Sequence, residues 1–102
     1  MSGDYTRALV PDESVKLRAT WTTRRRQVTD YAVVLTVEQG GAEHTVRVYD
    51  GAHGVNEMHR YTRTGDKQPA EVVHAGDLGA GMRAAVEDCR RRYPSIIEGW
   101  DR

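Results

Sequence analysis

At 102 residues, with fifteen basic and fifteen acidic side chains, the chain has room for one core and carries no net charge. The length excludes two full domains, because much smaller units bury too little surface, and the charge balance excludes the strong global field of a non-specific nucleic-acid binder. The single cysteine, Cys89, excludes an internal disulfide and a thiolate-rich metal site.

A hydrophobic fraction of 38%, with five Tyr and two Trp as the only aromatics, predicts a thin core built on Val, Leu, Ile and Ala. The first ten residues lack a basic stretch followed by an apolar one. No apolar run reaches the roughly 20 residues that span a bilayer, so the expectation is a cytoplasmic protein without membrane contact.

Residues 1 to 13 show no sustained periodicity and read as a loosely held arm, leaving residues 14–102 as a single α+β domain. From Ser14 the pattern alternates: Val15, Leu17, Ala19 and Trp21 on one side, Lys16, Arg18, Thr20 and Thr22 on the other. A turn over Arg24 to Gln27 leads to a second strand, Tyr31 to Val37, which is apolar on both faces and therefore central. Gly40-Gly41 suits a two-residue type I′ hairpin and opens a third strand, Glu43 to Asp50. That register pairs Val37 with His44, Leu35 with Val46, Val33 with Val48 and Tyr31 with Asp50 on one side. It leaves Ala32, Val34, Arg47 and Tyr49 on the other, where a partner could dock.

Asp50 to Gly54 reads as a structured loop, and Met58 to Arg63 as a fourth strand with His59, Tyr61 and Arg63 on one face. Glu71 to His74 is a short candidate edge strand. The clearest signal is an apolar stripe at three- and four-residue spacing, Leu78, Met82, Ala85, Val86, Cys89, Tyr93, Ile96, Ile97 and Trp100, which predicts an amphipathic helix capped by Asp77. Pro94 predicts a kink or tight break in it. Glu87 with Arg91 and Asp88 with Arg92 stand in the favourable i,i+4 order, so Arg90 to Arg92 read as a solvated face. The expected architecture is an antiparallel meander of about four strands under this helix.

The chemistry-bearing residues Arg47, Tyr49, Asp50, His53, His59, Tyr61 and Arg63 fall close together. Phosphodiester cleavage needs a base, an acid and a cation on the developing phosphorane charge, roles that suit His, Tyr and Arg. The set therefore reads as a metal-independent ribonuclease-like site, with His53, His59, Arg47 and Tyr61 catalytic and Tyr49, Asp50 and Arg63 binding. The same set also describes an ordinary polar turn, in which Asp50 caps the loop and the histidines only hydrogen-bond. Asp50, His53, Glu57 and His59 offer metal-ligand types at a spacing that matches no strong motif, so no metal is expected. Gly76, Gly79 and Gly81 form no nucleotide-binding pattern, and no cofactor is expected. His44, His74 and Cys89 read as structural.

Val46-Arg47-Val48-Tyr49-Asp50-Gly51-Ala52-His53-Gly54, followed by His59-Arg60-Tyr61, resembles the signature of an uncharacterised prokaryotic small-protein family. In that family an Arg-x-Tyr/Trp-Asp-Asn-Ala-His element precedes a His-x-His or His-Arg pair, and Gly51 here stands in place of the Asn. The segment is also distantly similar to TumE-type toxins of toxin–antitoxin modules, which combine an antiparallel sheet, this turn and a closing helix. The resemblance implies a toxin-like component of a toxin–antitoxin or phage-related module that acts on RNA and pairs with a cognate antitoxin. The alternative is a non-catalytic protein–protein interaction module, including a homodimer through the exposed sheet face, motivated by the two-sided apolar strand Tyr31 to Val37.

Overall fold

The computed structural model describes residues 1–102 as six antiparallel strands in one sheet with one helix on a single face. The elements are β1 (Ser2–Ala8), β2 (Val15–Arg24), β3 (Gln27–Gln39), β4 (Ala42–Asp50), β5 (Asn56–Arg60), β6 (Glu71–His74) and α1 (Leu78–Trp100). Each strand pairs with the next, so the sheet is the expected meander, but wider than four strands. No helix is long and apolar enough to cross a membrane.

The extra width comes largely from the segment expected to be a loose arm. Its residues Ser2 to Ala8 pair with β2 from Ser2↔Thr22 to Ala8↔Lys16. An edge strand with one half-buried face needs only a single large anchor, and Tyr5 supplies it by packing edge-on against Trp21 at 6.0 Å between ring centroids. β6 forms where the edge strand was expected, while β5 starts two residues earlier than expected and ends at Arg60, leaving Tyr61 in an isolated bridge to Lys67.

The hairpin at Gly40-Gly41 forms with both residues at positive φ, 64° and 79°, and Val37 faces His44 as expected. Beyond that pair the expected register fails. A bulge between Leu35 and Thr36 sets Leu35 opposite Arg47, Val33 opposite Tyr49 and Ala32 opposite Asp50, which leaves Val46 as the unpaired extra residue. One inserted residue inverts the rest of the strand. Val46 and Tyr49 are buried beneath the helix with Arg47 beside them, whereas Val48 turns to the open face. The placement of Arg47 and Tyr49 on the uncovered face is thereby corrected.

The core lies between the sheet and α1. Leu17, Val33 and Leu35 are fully buried with Ala19, Val46, Met58, Ala85 and Cys89. Burying each large aliphatic contributes about 1.5–3 kcal/mol. Asp77 caps the helix by accepting from the Ala80 N–H at 2.7 Å. The break or kink expected at Pro94 is not seen: α1 runs continuously through it. The carbonyl of Arg90 loses its donor there, but Arg90 is exposed and water can take that bond.

One buried polar residue ties the helix entrance to the sheet. Asn56 is 1% exposed; its Oδ1 accepts from the Tyr31 hydroxyl at 2.8 Å. Its Nδ2 donates to the carbonyls of His74 at 3.3 Å, Gly76 at 2.9 Å and Asp77 at 3.2 Å. Gly81 lets the helix come this close, since a Cβ there would sit 1.8 Å from Asn56 Oδ1.

Burial also sets the alkaline limit of the fold. It pushes the Cys89 thiol up to about 12, with the Asp88 carboxylate adding to the shift, and the Tyr31 phenol up to about 12, with Asp50 adding to it. Tyr49 is raised further, by burial and then by its bond to Asp88. Raised pKa values favour the neutral forms in the folded state, so their stabilisation is complete below the unfolded pKa values and lost as pH rises through the folded ones. Thermal unfolding should therefore show a midpoint insensitive to these groups at neutral pH and falling from about pH 9 to 12. Disulfide reagents should label Cys89 only as fast as the protein opens.

Candidate functional site

The sheet divides the seven residues that the sequence groups together. Asp50 and Glu57 stand opposite one another on β4 and β5, on the face away from the helix, and each meets a histidine. His59 Nε2 lies 3.8 Å from Asp50 Oδ2, while its Nδ1–H donates to the Gln68 carbonyl at 2.9 Å. His53, largely exposed, donates from Nδ1 to Glu57 at 2.8 Å. Asp50 also accepts from the Ala52 N–H at 3.3 Å. These four side chains pair off two by two, and no three His, Cys, Asp or Glu side chains gather as a metal ion requires.

Arg47 and Tyr49 lie on the other face. The Tyr49 hydroxyl donates to Asp88 of α1 and accepts from Arg47 Nη1 at 3.2 Å, and Arg47 Nη1 is 3.8 Å from the same carboxylate. Arg63 sits at the C-terminal end of the helix, 2.8 Å from Asp101 and 5.2 Å above the Trp100 ring, and donates to Gln39 at 2.7 Å. The two histidines therefore share the β4–β5 turn, whereas the arginines and tyrosines face the helix or its end.

The arginines gather at a different feature. A groove of about 650 Å³ opens between the C-terminal half of α1 and the segment from Arg60 to Thr64. Five arginines line it, Arg47, Arg60, Arg63, Arg92 and Arg102, along with Tyr61, Thr62, Thr64 and Ser95. No Asp or Glu lines it. The acids that pair with these arginines approach from outside: Glu71 at 3.6 Å from Arg60, Asp88 at 3.0 Å from Arg92, Asp101 at 2.8 Å from Arg63 and Glu98 at 3.3 Å from Arg102. The pairs of Arg60, Arg63 and Arg102 join exposed side chains and hold weakly, typically by less than about 1 kcal/mol. A phosphate that accepts two parallel N–H bonds from a guanidinium competes well against them. Two buried donors on residues that border the groove, Arg47 Nε and Trp100 Nε1, have no hydrogen-bond partner.

The sequence grouping caught Arg47, Tyr61 and Arg63 of this groove and missed Arg60, Arg92 and Arg102. A signal existed, because Arg92, Ser95, Gly99 and Arg102 recur at three- and four-residue spacing beside the apolar stripe. The expected i,i+4 pairs of Glu87 with Arg91 and Asp88 with Arg92 do form, at 3.9 and 3.0 Å, but Arg92 also borders the groove.

No curated protein and no solved structure matches the chain. A family model described as a domain of unknown function, DUF7718, matches residues 1–102, and the chain belongs to that family.

Proposed function

We propose that this protein binds RNA through the arginine groove, as a toxin-like component of a toxin–antitoxin or phage-related module. The observation that carries the reading is a groove lined by five arginines and no Asp or Glu, in a chain whose net charge is zero. A neutral chain has no global attraction for polyanions, so a concentrated local patch is what phosphate contact requires. The groove's volume suits a bound segment of a few phosphates rather than a large ligand. The spread of His53 and His59 away from the arginines supports binding over cleavage, because acid–base work on a phosphodiester needs those groups within hydrogen-bond reach of the same atoms.

Induced expression tests the toxin role and the site together. Wild type should arrest growth, Arg60→Glu with Arg102→Glu should relieve the arrest, and His53→Ala should leave it intact. Absence of arrest by wild type removes the toxin role, and relief by His53→Ala would return the chemistry to the β4–β5 turn.

A second reading rests on the face away from the helix, where Ala32, Val34 and Val48 lie side by side, half-buried and covered by no other element. That face could pair with a second copy of the chain. Sedimentation over a range of concentrations would show a dimer, and a strict monomer would reject it.

A further inference from the structure

The β2–β3 hairpin carries a feature that packing does not account for. Arg24 pairs with Gln27, so Arg25 and Arg26 form the whole connection, and both adopt left-handed φ, 53° and 67°. Two-residue hairpin loops call for this backbone and ordinarily meet it with Gly, Asn or Asp, since a β-carbon is strained there. The next hairpin does so with Gly40 and Gly41 at 64° and 79°. The chain thus solves one geometric problem twice, once with glycines and once with two strained arginines. Strain retained where a cheaper residue is available points to a use for the side chain.

No internal contact explains the choice. Arg24, Arg25 and Arg26 are all exposed, and none belongs to any ion pair or side-chain hydrogen bond, whereas all five groove arginines have an acidic partner. Three adjacent unpaired cations at a hairpin tip form a compact positive field. The tip lies beyond the N-terminal end of α1, where Val28 packs against Gly79, and the groove lies at its C-terminal end. The helix between them has 23 residues, a length of about 34 Å, and the longest dimension of the molecule is 43 Å.

We infer that the Arg24 to Arg26 tip is a second phosphate-contacting element, which engages a distant stretch of the same RNA strand that the groove holds. The inference rests on the RNA reading of the groove. At about 3.4 Å per stacked phosphate, a strand needs about 13 nucleotides to run the long axis. A tetranucleotide can occupy only one end.

The test compares binding of a 4-nucleotide and a 20-nucleotide oligouridylate to wild type, to Arg25→Asn/Arg26→Gly, and to Arg60→Glu/Arg102→Glu. The tip variant keeps a turn-compatible loop and removes two charges, so its melting temperature should equal or exceed that of wild type. Its affinity for the 20-mer should fall about tenfold or more at 0.1 M salt, and the slope of log K against log salt should lose about 1.4. Its affinity for the 4-mer should not change. Wild-type affinity of this variant for the 20-mer, or equal losses on both lengths, would overturn the inference. So would loss of binding to phosphatidylserine vesicles with RNA binding intact, which would assign the tip to a membrane surface. If the groove variant binds both oligomers as wild type does, the groove reading fails, and the effect of the tip variant on the 20-mer is still read independently.

Discussion

Replacing Asn56 with leucine should lower the stability of the fold by about 3–5 kcal/mol. Leucine is close in size, so the loss comes from the bonds rather than from a cavity. The Tyr31 hydroxyl and the carbonyls of His74, Gly76 and Asp77 all spend hydrogen bonds on this one amide, and a buried polar group left unpaired costs about 1–3 kcal/mol. A domain of this size is stable by about 5–15 kcal/mol in total, so the variant should unfold at markedly lower urea with an unchanged m-value. Gly81→Ala should do similar damage by another route, since its methyl group would occupy the position of Asn56 Oδ1. The two substitutions should be strongly non-additive, because each disrupts the same junction. Full additivity would show that Asn56 and Gly81 act separately, and near-wild-type stability of Asn56→Leu would show that the network contributes little.

Reversing two exposed groove charges, Arg60→Glu with Arg102→Glu, should weaken RNA binding about 100-fold at 0.1 M salt while the melting temperature moves little. Both side chains are mostly exposed, at 59% and 77% for their side-chain surface, and their partners Glu71 and Glu98 are exposed as well. Folding therefore draws little on them. Binding draws on them directly, because each reversal removes one phosphate contact and adds a repulsion. Arg47 is a poorer probe, since its side chain is only 12% exposed and supports both Tyr49 and Asp88. Its loss would mix folding with binding.

Most of the fold was legible from periodicity. The alternation from Val15 to Trp21, the glycine hairpin, the cap at Asp77 and the stripe from Leu78 to Trp100 all produced the elements they predicted. β1 was not legible, because Ser2 to Ala8 holds a single large apolar anchor, Tyr5, whose partner Trp21 lies on another strand. The bulge at Val46 was not legible either. Val46-Arg47-Val48-Tyr49 offers either valines or the arginine and tyrosine to the core under strict alternation. The choice falls to Tyr49 because Asp88 receives its hydroxyl and Arg47 offsets the carboxylate. That contact crosses 39 residues of sequence. The same distance hid the groove, whose arginines come from β4, the end of β5, the following loop, α1 and the residue after the helix cap. Closeness along the chain grouped His53 and His59 with Arg47 and Arg63, and the sheet separated them.

Phosphate binding by the groove is tested most directly through its salt dependence. Labelled single-stranded RNA should be titrated with wild type and with Arg60→Glu/Arg102→Glu from 50 to 300 mM salt. Wild type should show a slope of log K against log salt of about −2 or steeper, and the variant far weaker binding with a slope shallower by about 1.4. A wild type whose binding ignores salt, or a variant that binds as wild type does, would contradict phosphate binding there.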